Sequence, residues 1–291
     1  MRKIRDRLQY WAFVSPALII VVCICIIPLF INSYYALFDW NGISSTKKFV
    51  GFSNFIHLMT SDPKYLRAVS FTVRYTLFYV VITNVIALSI AVVLTGSSRR
   101  VSNIGRACYY IPCICAPTAI GLLWKCIFRD GTKTLYDLTH LEIFARSWIG
   151  SVDLSFWSIL IVGIWCGVGF YNIIYITALL SVPEDIVEAA KIDGANSWQR
   201  FWRIKFPQII PTFSTVILLS LINGFKVFDA IMLITEGGPA GMSTSMAYSI
   251  YRSAFHEHAY GMSSAKAIIF FTILIILTVI QLRITKKVTD S

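Results

Sequence analysis

Long apolar stretches constrain this chain more than any other feature. A helix needs about 20 mostly apolar residues to cross a hydrocarbon layer about 30 Å thick. The chain has 291 residues and holds about six such stretches, near 11–36, 70–95, 107–128, 154–180, 209–235 and 265–282. They are too long for barrel strands of about ten alternating residues. Only 14% of the residues are charged, against about 25% in an average soluble domain. The expected fold class is all-α: a polytopic membrane protein with about six transmembrane helices, forming one transmembrane domain over residues 1–291.

The net charge of +11 would suggest nucleic acid as a partner if the chain were soluble. Its placement argues instead for topology and against nucleic acid. Arg2, Lys3, Arg5 and Arg7 precede the first stretch, and Arg99, Arg100 and Arg106 lie between the second and third. Lys191, Arg200, Arg203 and Lys205 lie between the fourth and fifth, and Arg283, Lys286 and Lys287 follow the sixth. All four groups share one side if both termini are cytoplasmic, as the positive-inside bias requires. The first apolar run exceeds a signal peptide's 7–15 residues and no small-residue cleavage site follows, so it reads as an uncleaved span.

All seven Cys fall inside these stretches, without the paired spacing of a zinc site, and suit close helix approach as small filler. His256-Glu257-His258 has no further ligands beside it, so no metal site is expected. A phosphate-cradling GxxxxGK[ST] is absent, and so is any nucleophile–base arrangement. The chain reads as a non-enzyme that binds no cofactor and supplies no nucleotide energy of its own. Outside loops are expected at 39–69, 129–153 and 236–264. The first carries an amphipathic helix in "FVGFSNFIHLM" (49–59), and the last opens with "TEGGP" (235–239), which ends the fifth helix.

One segment fits neither membrane nor linker: "EAAKIDGANSWQRFWRIKFPQIIP", residues 188–211. Pro183 and Glu184 suit a first helical turn, with Ser181 or its predecessor as the cap. Asp193-Gly194 signals a left-handed turn, and Ser197 is placed to cap a second short helix. The result is a helix-turn-helix elbow. Ala189, Ala190, Gly194 and Ala195 give it a bare flank that can enter a partner's groove, or the elbow simply rests on the bilayer.

The residues Glu188-Ala189-Ala190, Asp193-Gly194-Ala195, Phe201, Ile204, Pro207 and Pro211 resemble the EAA motif of ABC importer permease subunits, within a loop at about 181–208. "FKVFDAIMLITEGGPAGMSTSMAYSIYRSAF" (225–255), "FVGFSNF" and "YYIPCICAPTAIGLLWKCIF" are similar to the carbohydrate-importer, maltose-transporter-like group. The resemblance covers nearly the whole chain; Phe206 replaces the usual Leu before the motif Pro, and "FRDGTKTL" is an unusual version of its segment. It implies a type I importer permease core in a bacterial inner (plasma) membrane, with both termini cytoplasmic. It implies that Glu188, Ala189, Ala190, Asp193, Gly194 and Ala195 couple to an ATPase. It further implies a second permease subunit in a heterodimer, two ATP-binding subunits carrying ATP and Mg, and an extracytoplasmic sugar-binding protein.

Gly167, Gly169 and Asn172 in the fourth stretch, and Asn223 and Gly224 in the fifth, suit either close helix packing or a solute path. Lys226 and Asp229, three apart, can pair on one helical face. By resemblance, substrate contacts fall on Cys166, Gly167, Phe170, Asn223, Gly224 and Val227. The expected function is the permease of an ATP-driven sugar importer. Alternatives are an ion-coupled secondary carrier of a small polar solute and, with less in its favour, a membrane-embedded enzyme.

Overall fold

A computed structural model describes residues 2–289, which are mostly helical. In chain order the helices are α1 (Arg2–Val21), α2 (Ile27–Tyr35), α3 (Ser53–Thr60), α4 (Pro63–Thr95), α5 (Arg99–Ile114), α6 (Pro117–Cys126) and α7 (Thr132–Thr139). There follow α8 (Glu142–Ala145), α9 (Val152–Leu180), α10 (Glu184–Ile192), α11 (Ser197–Arg200), α12 (Phe206–Phe225), α13 (Met246–Phe255) and α14 (Tyr260–Thr289). Strands β1 (Phe38–Asp39) and β2 (Lys48–Phe49) form a small antiparallel pair. Among the described residues five helices are long and apolar enough to cross a membrane: Tyr10–Tyr35, Pro63–Thr95, Val152–Leu180, Ser197–Phe225 and Tyr260–Lys287. A sixth crossing arises if Arg100–Ile114 and Pro117–Thr139, bent by 98°, count as one.

Two expected spans are broken. The stretch 107–128 is not one helix, because α5 stops at Ile114 and Cys115 and Ala116 are extended before Pro117. Proline lacks an N–H and disfavours helical backbone in the residue before it, so it ends one helix and starts the next. The stretch 209–235 also ends early, at Phe225 instead of at the Gly-Gly-Pro. After Lys226–Phe228 the chain winds again from Asp229, passing into a short π turn, Ile231–Thr235. The expected loop 129–153 is partly helical, carrying α7 and α8.

The contacts divide the chain into two compact units. The first comprises residues 1–62 and 249–272. Here the β pair is held by Asn54, on α3, whose Nδ2 donates to the carbonyls of Ala36 (2.9 Å) and Phe38 (3.0 Å). The Lys47 ammonium sits 4.6 Å from the ring centre of Tyr35 and 4.7 Å from that of Trp40. Buried Lys266 donates to Ser253 (2.6 Å) and Ser249 (3.1 Å), so its charge is met by hydroxyls.

The second unit, residues 63–248 and 273–291, holds the larger core. α4 lies along α9, and α5 and α12 close on that pair. Small residues set the spacing. Gly163 and Gly167 on α9 face the hydroxyls of Tyr75 and Tyr79, and Gly169 faces the backbone carbonyl of Tyr109. Polar bridges then fix the register. Asn84 donates to Ser220 (2.9 Å) and accepts from Tyr175 (2.5 Å), joining α4, α12 and α9. Asn172 Nδ2 donates to the Ala87 carbonyl at 2.9 Å. In an apolar surrounding such bonds are selective, because slipping the register leaves buried polar groups unpaired.

The Gly169 contact is testable. Any Cβ there would overlap the Tyr109 carbonyl, a backbone group that cannot swing away. Overpacking of this kind costs about 1–3 kcal/mol. Gly169→Ala is therefore expected to lower the melting temperature of the purified protein by several degrees. Gly96→Ala, where a Cβ would meet its nearest atom at 3.6 Å, is the control expected to leave it near wild type.

Candidate functional site

Two features of the second unit combine polar chemistry with exposure: the elbow between α9 and α12, and a cavity beside the helix breaks. In the elbow, Glu184 and Asp185 occupy the first turn of α10 and Lys191 the last, each complementing the helix dipole. The helix then stops by backbone geometry. Gly194 adopts φ +80°, its N–H bonds the Lys191 carbonyl (3.2 Å), and the Ala195 N–H bonds the Ala190 carbonyl (2.9 Å). This is the Schellman pattern, which satisfies the last carbonyls and reverses the chain. A Cβ on Gly194 would meet nothing within 4 Å, so it is the positive φ that requires glycine.

The restart is also specified locally. Asn196, not Ser197, caps α11: its side chain accepts from the Gln199 N–H (2.8 Å), while Gln199 accepts from the Asn196 N–H (2.9 Å). The reciprocal box satisfies two N–H groups, and Asn196 wins because Gln199 stands three residues on. Ser181, expected as a cap for α10, instead ends α9, donating from its hydroxyl to the Ala178 carbonyl. Arg200 reaches back to the Ala195 carbonyl at 2.5 Å, tying the two arms together. Glu188, Ala189, Asp193 and Gly194 are exposed, and Ala190 and Ala195 are half-buried. Ile192 and Trp198 are 87% and 71% exposed, so the charged elbow also presents apolar side chains.

The cavity has a volume of about 430 Å³. Its walls come from α4, α9 and both broken stretches. Cys113, Cys115 and Pro117 flank the first break, and Lys226 to Ala230 form the second. Of the substrate contacts inferred by resemblance, Cys166, Gly167, Phe170, Asn223 and Val227 line it. Gly224 lies off the wall, buried, where a Cβ would come within 2.9 Å of Thr76 on α4. Asn223 donates to the Tyr171 hydroxyl at 2.9 Å, which orients both on the wall.

Lys226 and Asp229 both line the cavity and are exposed, but they do not form the expected pair. Among the described residues no ion pair joins them, since the helix breaks between the two and removes the i,i+3 geometry. The break keeps its own polar groups satisfied. Lys226 N–H bonds the Ile222 carbonyl (3.1 Å), and the Val227 carbonyl accepts from Ser245 Oγ (2.7 Å).

Sequence reasoning missed Tyr75 and Tyr79, which line the cavity from α4. Their i,i+4 spacing inside a span, facing Gly163 and Gly167 on α9, was the available signal. It also missed Cys113 and Cys115, whose place on the wall depends on the 98° bend after them. Among the described residues no group of His, Cys, Asp and Glu can hold a metal ion. The arrangement can bind a polar solute against aromatic faces.

Residues 83–290 match the family described as "Binding-protein-dependent transport system inner membrane component". Over 285 residues the chain is 35% identical to the probable starch degradation products transport system permease protein AmyD of Thermoanaerobacterium thermosulfurigenes, covering 97% of this chain and 96% of that one. It is 32% identical over 287 residues to the multiple sugar-binding transport system permease protein MsmF of Streptococcus mutans, covering 99% and 98%. In fold it resembles a chain of the bacterial alginate ABC transporter crystallised with an alginate pentasaccharide-bound periplasmic protein, with TM-score 0.86 at 17% identity over 100% of this chain and 98% of that one. A chain of the inward-facing methionine ABC transporter MetNI aligns with TM-score 0.59 at 16% identity, over 77% and 95%. The fold is thus one already seen in solved transporter chains, and the chain is a member of the binding-protein-dependent transport system inner membrane component family.

Proposed function

We propose that this chain is the transmembrane permease subunit of an ATP-driven sugar importer, forming half of the solute path. The observation that carries this reading is the cavity at the two helix breaks, walled by aromatic rings with a few polar groups among them. Broken helices near the middle of a membrane protein are where transporters place their sites. Aromatic faces stack on the apolar CH faces of sugars, and Asn223 and the Tyr171 hydroxyl offer donors and acceptors to hydroxyl groups. Lys226 and Asp229 face the same space as separate charges, able to hold solute hydroxyls by stronger, charge-assisted bonds. The names of the sugar-transport relatives support a sugar over other polar solutes.

The elbow is the link to the energy source. It joins α9 to α12, and both helices line the cavity. A force applied to Glu188–Ala195 by an ATP-hydrolysing partner therefore reaches two cavity walls directly. The remaining parts are two ATP-binding subunits holding ATP and Mg, a second permease subunit completing a heterodimer, and an extracytoplasmic sugar-binding protein. Both termini and the elbow lie on the cytoplasmic side. ATP closes the ATPase pair and draws the elbows together, the cavity opens outward to receive sugar, and hydrolysis returns it inward.

Two outcomes test the reading. Proline cannot adopt the φ of +80° at Gly194, so Gly194→Pro is expected to abolish ATP-driven uptake while membrane insertion and assembly persist; uptake at the wild-type rate would remove the coupling role. Asn223→Leu is expected to raise the KM for the transported sugar about tenfold, with ATPase activity stimulated as before at saturating sugar. An unchanged KM would take the Asn223 wall out of the solute path.

A further inference from the structure

A second, smaller pocket of about 410 Å³ lies between the end of α4, the first two turns of α5 and the end of α9. Its polar groups are unbalanced. Arg106 lines it, and the buried Nε of that guanidinium has no hydrogen-bond partner. Ser102, one turn earlier on α5, is 6% exposed and lines the same pocket. Its hydroxyl makes no hydrogen bond among the described residues. Asn103 adds an amide beside them.

The facing wall does not supply the missing acceptors. The Thr95 hydroxyl donates to the carbonyls of Ala91 (2.9 Å) and Val92 (3.1 Å). The Ser97 hydroxyl donates to Val93 (2.7 Å), and the Ser97 N–H meets the Leu94 carbonyl at 3.4 Å. The carbonyls of Ala91 to Leu94 are thus occupied by their own helix end. No carboxylate lines the pocket, and among the described residues none is ion-paired with Arg106. The Ser98 side chain leaves the start of α5 uncapped, so the positive end of that helix adds to the field. A buried guanidinium nitrogen without an acceptor is costly. Its most favourable complement is an oxyanion with several acceptor oxygens.

We infer that this pocket is a phosphate-ester binding site, in which Arg106 Nε and Ser102 Oγ donate to phosphoryl oxygens and Leu94 and Leu180 border the esterified group. It exceeds what a bare ion needs, and its apolar border suits a substituent. The ester is either the head group of an anionic lipid or a soluble phosphorylated molecule. Leu180 is the last residue of α9, just ahead of α10, so occupancy would tie α5 to the root of the elbow. The site is distinct from the cavity at the helix breaks and does not depend on which solute passes there.

The test uses the assembled transporter in a phosphate-free, lipid-free detergent, as wild type, Arg106→Gln and Ser102→Ala. One arm titrates inorganic phosphate and the other phosphatidylglycerol, with thermal shift and native mass spectrometry as readouts. Wild type is expected to bind in at least one arm, and both variants to bind about tenfold more weakly there. Binding in the lipid arm alone identifies a head-group site, and binding in the phosphate arm identifies a site open to soluble esters. Ser102→Ala guards against misfolding, since it removes a hydroxyl that has no partner. Without ligand it should melt at or above the wild-type temperature, while its affinity falls. Equal binding by wild type and Ser102→Ala in both arms, or no binding by wild type in either, would overturn the inference.

Discussion

In hydrocarbon every backbone N–H and C=O must find a partner within the protein, and this constraint decides where the chain is allowed to stop being helical. It stops twice within apolar stretches. At Cys115–Ala116 the break precedes Pro117, which cannot donate and disfavours helix in the residue before it. At Lys226–Phe228 no proline is involved; Gly224 lies buried close against Thr76, and Ser245 takes up the Val227 carbonyl that the break releases. Both breaks open onto the same cavity. Irregular backbone and charged side chains are expensive in a membrane and settle where they line a polar space. The cavity is thus where the two breaks within the apolar stretches meet.

Under the proposed function, the second unit is cross-braced where it would transmit force and bare where it would receive it. Asn84, Tyr175 and Ser220 lock α4, α9 and α12 in register through two hydrogen bonds, of 2.9 and 2.5 Å. The elbow connects α9 to α12 with little of its own surface buried. Its shape is held by local devices alone: the left-handed Gly194, the Asn196–Gln199 box and the Arg200 strap. Such a locally specified shape suits the proposed partner contact, because it does not lean on tertiary packing that a partner would disturb.

Much of this was legible in the sequence, for reasons that can be named. Apolar length alone located the long helices, since a membrane span has few other solutions. The elbow was readable because Asp193-Gly194 can close a helix in only a few ways. The capping residues were not: Ser197 is as good a cap as Asn196 by type, and only the reach of Gln199 separates them. The early end of α12 was invisible, because the stretch stays apolar well past Phe225 and the break is stabilised by Ser245, distant in sequence. The Lys226–Asp229 pairing failed for that reason. Tyr75 and Tyr79 escaped notice because tyrosine in a span reads as core until the glycines opposite it are placed.

The central claim is that the elbow is gripped by an ATP-hydrolysing partner. The most direct measurement is a cysteine cross-link from Ala190→Cys to the cleft of the candidate ATPase subunit, in the assembled transporter, on a background with the seven native cysteines replaced. A specific cross-link whose yield changes with nucleotide is the predicted result. Labelling of that position by lipid-phase reagents, with no cross-link in a properly assembled complex, would contradict the account and leave the elbow a membrane-surface helix.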